Sequence, residues 1–167
     1  MNLYIQRHAI AVERGTKGYK RDSDRPLTDK GARKMARIAE GMLALRLSFD
    51  AILSSPFVRT RQTAAIVEAA FGAEGVLEIV PSLKSGGDPG ELVNVLSSRY
   101  GSASNVLIVG HEPYLSGLIS VLLSGSSGLS LVMKKGGLCK LNIPHIRYGR
   151  CATLEWLLTP NQMSKMR

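Results

Sequence analysis

Along this chain, short apolar runs alternate with longer stretches whose apolar positions recur at helical spacing. Asn2 to Gln6, with Tyr4 and Ile5, reads as a short buried strand. Residues 13 to 27 are polar and rich in turn formers, which predicts a long loop. Thr28 then stands as a cap before Ala32, Met35, Ala36, Ala39, Met42 and Leu43, whose spacing predicts an amphipathic helix. Asp50 to Leu53 is a second strand. Ser55-Pro56 reads as the N-cap and first residue of a helix that runs to about Phe71. Val76 to Val80 is a third strand, and Asp88-Pro89 opens a helix by the same cap-and-proline device. Val106 to Val109 is a β-branched apolar run that suits a central parallel strand. Glu112-Pro113 starts a helix carrying Leu115, Leu118, Ile119, Leu122 and Leu123. Leu138 to Ile143 and Ala152 to Leu158 read as a closing antiparallel hairpin or pair of edge strands.

Strands alternating with helices predict an α/β fold of three layers, with a mostly parallel central sheet flanked by helices. The only linker-like stretch, Ser124 to Gly128, leaves too few residues after it for a second domain. We expect a single domain over 1–160 and a C-terminal tail over 161–167. In open α/β sheets the ligand site lies beyond the carboxyl ends of the strands. Chemistry should therefore sit at Arg7-His8, from Ser54-Ser55 onward, in the 82–88 loop and at Gly110-His111.

Composition narrows the classes. The chain has 167 residues, 44% of them hydrophobic and 21% charged, so it can build a core without metal or disulfides. No apolar run approaches the roughly 20 residues needed to span a bilayer. Gln6, Arg7 and His8 interrupt the N-terminal segment where a signal peptide would be apolar. Cys139 and Cys151 form no disulfide framework and no metal-binding spacing. The closing hairpin leaves room for them to face each other, and both read as small buried hydrophobes. The expectation is a soluble, cytoplasmic, metal-free protein. Lys and Arg number 22 against 13 Asp and Glu, a net charge of +9 that calls for an anionic partner. Charge alone does not choose among nucleic acid, membrane, phosphate and acidic protein.

The candidate chemistry chooses phosphate. His8 and His111 fall at predicted strand ends, with Arg7 beside one and Arg59 in the first turns of the helix after Pro56. Guanidinium groups grip phosphoryl oxygens in a bidentate fork, and helix N-termini add backbone N–H groups. A neutral imidazole nitrogen can itself attack phosphorus, and neighbouring arginines disfavour its protonated form.

These local sequences resemble the histidine phosphatase superfamily, whose fold is phosphoglycerate mutase-like. Arg7-His8-Ala9 resembles its Arg-His-Gly signature, with Ala9 in place of the usual glycine. Arg25-Pro26-Leu27-Thr28 with Gly31 resembles its second element. Ser54 to Ala64 resembles its third, and Gly110-His111-Glu112-Pro113 its last. Four ordered elements at strand ends are a far more specific signal than one Arg-His pair. Short length, the Gly87-Asp88 loop and the ending Trp156 to Pro160 look most like the small SixA-type phosphohistidine phosphatases. The resemblance implies that His8 is a nucleophile that becomes phosphorylated. It implies that Arg7, Arg59 and His111 are catalytic and bind the phosphoryl oxygens, and it implies no metal or cofactor.

Larger members of that superfamily place an acid after the third strand to protonate an alkoxide leaving group. Here the 81–88 loop offers only Asp88, which reads better as the cap ahead of Pro89. The favoured expectation is thus a phosphatase for phosphohistidine on a protein of histidine phosphotransfer type. The alternative is a small-molecule or phosphoserine phosphatase with Asp88 or Glu91 as acid. A basic nucleic-acid-binding module is a third reading, weakened by only nine aromatic residues and no known nucleic-acid motif. Neither nucleic acid nor membrane is the expected partner, and a monomer is expected. Arg61 reads as a solvated charge and His145 as structural. Glu112 suits a cap or a place at the site. Ser54 and Ser55 have no base assigned beside them, and Ser55 reads as a cap. Nine Lys and Arg residues lie from Arg14 to Arg37. They are either a solvated face or a docking surface for an acidic phosphoprotein.

Overall fold

In the computed structural model, which describes residues 1–166, six strands share one mixed sheet. They are β1 (Asn2–Arg7), β2 (Ala51–Ser54), β3 (Leu77–Ile79), β4 (Asn105–Gly110), β5 (Leu138–Asn142) and β6 (Thr153–Leu158). Their order is β3-β2-β4-β1-β5-β6, with β1 to β4 parallel. β5 runs antiparallel to β1, and β6 antiparallel to β5, as the closing hairpin was expected to. The helices are α1 (Asp29–Ala44), α2 (Val58–Phe71), α3 (Pro89–Tyr100), α4 (Tyr114–Ser124) and the short α5 (Pro160–Met163).

The period-two alternation of the central strands divides the core in two. Leu3, Ile5, Leu53, Val106 and Ile108 point to one face, against Leu92 and Leu96 of α3 and Leu115 and Leu118 of α4. Tyr4, Ile52, Leu107 and Val109 point to the other, against Met35, Ile38 and Met42 of α1 and Val67 of α2. Register aligns the faces: Leu3 lies beside Val106 and Ile5 beside Ile108. Each fully buried side chain of this size contributes about 2 kcal/mol. Two apolar faces on one sheet require helices on both sides, which is the three-layer α/β architecture. Among the described residues no helix is long and apolar enough to cross a membrane.

Two caps stand where the sequence placed them. Thr28 accepts from the Gly31 amide at 3.0 Å, and Asp88 accepts from the Gly90 amide at 2.7 Å. Two helix starts differ. α2 begins at Val58 with Phe57 as its N-cap, so Ser55-Pro56 is not its opening pair. The backbone of Ser55 instead extends the sheet, its amide donating to the Val109 carbonyl at 3.1 Å. α4 begins at Tyr114 with Pro113 as its N-cap, one residue later than expected. Glu112 still serves that helix, accepting from the Ser116 amide at 3.1 Å. The cysteines do not face each other. Cys139 is paired with Leu157, whereas Cys151 precedes β6.

Gly31 fixes how α1 meets the end of β1. A Cβ at this position would lie 2.0 Å from the Ile10 carbonyl oxygen, so only glycine lets the helix sit flush on that backbone. Ile10 is two residues beyond His8, and this contact holds the loop that leaves the site.

Candidate active site

The sheet order brings the site together. β1 and β4 are parallel neighbours, with Arg7 opposite Gly110, so His8 and His111 emerge at the same level. The His8 amide donates to the Gly110 carbonyl at 3.1 Å, and the two rings stand 5.3 Å apart between centroids. β2 lies on the other side of β4 and delivers Arg59 in the first turn of α2. His8, Arg59 and His111 are all buried. The switch between β1 and β4 is where the strand-end rule places a ligand.

The tautomer of His8 follows from its partners. Nδ1 is 2.7 Å from the Ala9 carbonyl, which only accepts, so Nδ1 carries the proton. Nε2 is therefore the lone-pair nitrogen, and the Arg59 Nε–H donates to it at 3.2 Å. Burial, reinforced by the charges of Arg59 and Arg7, pushes the His8 pKa down to about 3 against the pull of the Ala9 carbonyl. A neutral imidazole at neutral pH is the nucleophilic form. Burial and Arg59 push His111 down to about 4. Its Nε2 lies 2.8 Å from Ser55 Oγ, while its Nδ1 is buried without a partner. Phe57 packs its ring 4.7 Å from that of His111 and carries the Arg59 guanidinium 4.9 Å over its own. Arg7 is anchored through Nη1 on the Met133 carbonyl at 2.7 Å.

Three residues to which sequence reasoning gave no role at the site complete the arrangement. Asp22 faces Arg59: its carboxylate accepts from Nη2 at 2.7 Å and its carbonyl from Nη1 at 2.6 Å. The same carboxylate accepts from Arg25 at 2.7 Å and Arg14 at 3.2 Å. Burial resists its ionisation, but hydrogen bonds from Arg25, Arg59 and Arg14 hold the carboxyl well below the usual carboxylate range. Ser55 has a histidine beside its hydroxyl after all. Thr63 ties the segment after His8 to α2, accepting from the Ala9 amide at 3.1 Å and donating to the Arg59 carbonyl one turn back at 2.7 Å. The sequence signals were the Asp22-Ser23-Asp24 pair of acids between Arg21 and Arg25 and the hydroxyls flanking Arg59.

Asp88 and Glu91, the candidate acids, stand at the start of α3, close enough to Tyr114 of α4 that burial and their charges together raise its pKa. Both are exposed; the Asp88 carboxylate is engaged at the start of α3. Glu91 lines a surface groove with Glu78 and Arg99.

Residues 3–84 match the family model described as "Histidine phosphatase superfamily (branch 1)". An uncharacterized protein of Picosynechococcus is 36% identical over 144 residues, covering 84% of each chain. Phosphohistidine phosphatase SixA of Escherichia coli is 27% identical over 128 residues, 76% of this chain and 77% of that one. The structure of the protein histidine phosphatase SixA complexed with tungstate superposes with a TM-score of 0.83. That superposition covers 98% of this chain and 99% of the other at 23% identity, and it shows the shared fold.

Proposed function

Since the chain belongs to the histidine phosphatase superfamily and is a phosphatase, we propose that the phosphoryl group it removes is carried on a histidine of another protein, of histidine phosphotransfer type. The observation that carries this reading is the pairing of a neutral His8 with cationic neighbours and no poised acid. His8 Nε2 is aimed at the Arg59 guanidinium, the carboxylates of Asp22, Asp88 and Glu112 each accept hydrogen bonds from elsewhere in the chain, and Glu91 is exposed. Asp22 is held ionised by arginines, Asp88 binds the Gly90 amide, and Glu112 binds the Ser116 amide. None of them is a ready proton donor for an alkoxide.

In this reading the Nε2 lone pair of His8 attacks phosphorus. The P–N bond to the substrate imidazole breaks, and that imidazole takes its proton from solvent. Arg7, Arg59 and His111 hold the phosphoryl oxygens and stabilise the charge that spreads over them in the transition state. Water then attacks the phosphorylated His8, which releases inorganic phosphate and restores the neutral ring. An alkyl ester would expel a far more basic oxygen and would need an acid in place. Similarity to the Escherichia coli phosphohistidine phosphatase supports the same choice.

The test is a panel of a histidine-phosphorylated phosphotransfer domain, a phosphoserine peptide and a sugar phosphate. The phosphorylated domain should be turned over with the highest kcat/KM, by about a hundredfold or more. Comparable rates on the alkyl phosphomonoesters would reject phosphohistidine specificity and revive Asp88 or Glu91 as acids.

A further inference from the structure

The basic run from Arg14 to Arg37 divides in two once its partners are known. In the loop the arginines are spent, Arg14 and Arg25 on Asp22 and Arg21 on Asp24, and only Lys17 and Lys20 carry no ion pair among the described residues. On α1 the pattern reverses. Lys30, Arg33, Lys34 and Arg37 line one groove together with Ser164, and among the described residues none of the four has an ion-pair partner. Among the described residues their charged ends make one hydrogen bond, from Lys34 to the neutral Asn161 Oδ1 at 3.0 Å.

Spacing makes this costly for the helix alone. Lys30–Lys34 and Arg33–Arg37 are like-charge pairs four residues apart, an arrangement that destabilises a helix. Asp29, four residues before Arg33, and Glu40, three after Arg37, offset it in part, but among the described residues no acid lies within ion-pair distance of the four cations, which points outward to an anionic partner. The stripe spans the eight residues from Lys30 to Arg37, about 10 Å of helix between its ends. Its upper end is next to Gly31, which rests on Ile10, two residues from His8.

The dimensions favour one occupant. At about 220 Å³ the groove is smaller than the roughly 300 Å³ at which small-molecule sites begin. It is lined by no aromatic side chain on which nucleic-acid bases would stack. Four cations on one helical face match carboxylates presented at similar spacing by a folded protein. We propose that this face of α1 docks an acidic surface of the phosphoprotein substrate. The inference rests on the function proposed above and adds how the substrate is chosen.

The test uses Arg33→Glu/Arg37→Glu, with Arg33→Gln/Arg37→Gln as a milder pair; both lie on the exposed helix face, and neither touches the phosphoryl site. Turnover of a histidine-phosphorylated phosphotransfer domain with an acidic surface is compared with that of phosphoramidate. At low ionic strength the charge reversal should lower kcat/KM for the domain about tenfold, through KM. The neutral pair should lose less, and high salt should erase both differences. Phosphoramidate turnover should not change. Binding of the unphosphorylated domain, read by fluorescence anisotropy, should weaken in parallel. Unchanged binding and turnover of the domain, or an equal loss on both substrates, overturns the docking surface. So does binding of duplex DNA or anionic vesicles, rather than the acidic domain, that the charge reversal abolishes. If the wild type hydrolyses phosphoramidate but not the phosphorylated domain, the proposed substrate fails, and the anisotropy still decides the docking.

Discussion

The Asp22 carboxylate lies 2.7 Å from Nη2 of Arg59, and the Asp22 carbonyl takes Nη1 of the same guanidinium. The fork that would grip a phosphoryl group is thus already held by an internal anion. A phosphate arriving at Arg59 must share these N–H groups with a negative charge or displace it. Asp22→Asn keeps the shape and removes the charge. Inorganic phosphate should then inhibit about tenfold more strongly, a change of roughly 1.4 kcal/mol. Product-inhibition kinetics measure this. Weaker inhibition in the variant would mean that Asp22 chiefly positions Arg59.

His8→Ala should reduce turnover at least a thousandfold or so, because its nitrogen forms the covalent intermediate. Rapid quenching of the wild type during turnover should trap an acid-labile phosphoenzyme that the variant lacks. Full activity of the variant would falsify the nucleophile.

Ser55→Ala tests the hydroxyl 2.8 Å from His111 Nε2. Losing it leaves both ring nitrogens of a buried histidine unpartnered. The ring is then free to turn or to change tautomer, and kcat/KM should fall about tenfold. A rate within twofold of wild type would show that Phe57 packing alone orients the ring.

The strands and most helices were legible because two periodicities alternate cleanly along the chain. Leu3, Ile5, Val106 and Ile108 could be assigned to core strands from neighbouring residues alone. The site was legible where it follows the strand-end rule, as at His8 and His111. It was opaque where long-range contact decides. Ser55 carries every local sign of an N-cap, yet its hydroxyl lies at His111, 56 positions away. Asp22 sits in a loop whose sequence shows charge but not direction. Its role depends on the loop folding back to α2, a contact between residues 37 positions apart. Cys139 and Cys151 were misplaced by assuming a register that only the paired strands define.

The buried histidines make stability depend on pH. In the unfolded chain a histidine takes its proton near pH 6.5. In the folded protein His8 resists until about 3 and His111 until about 4. Between those limits the unfolded state binds more protons, so stability rises with pH and is lost as pH falls. From about pH 7 to about pH 5 the two sites together should cost roughly 2–4 kcal/mol, allowing for partial solvent screening. Urea unfolding across this range checks it. His111→Gln should flatten the slope, since a glutamine has no proton to take up. The Asp22 carboxyl adds a further loss only at more acidic pH, below its ordinary range.

Gly31→Ala sets two effects of opposite sign against each other. Helix propensity alone would favour alanine over glycine by about 1 kcal/mol in the interior of a helix. Here the new Cβ would stand 2.0 Å from the Ile10 oxygen and 2.9 Å from its carbonyl carbon. Both are backbone atoms, so no side chain can rotate away. Either α1 or the strand-end loop must shift, and overpacking of this kind costs about 1–3 kcal/mol or more. The clash should win, with a net loss of at least 1 kcal/mol and a drop in Tm of several degrees. The Ile10 segment leaves the site two residues after His8, and Thr63 ties Ala9 to Arg59. The same displacement should therefore lower kcat as well as Tm. A variant as stable as wild type would show that α1 can move without strain, and its kcat should then also be unchanged.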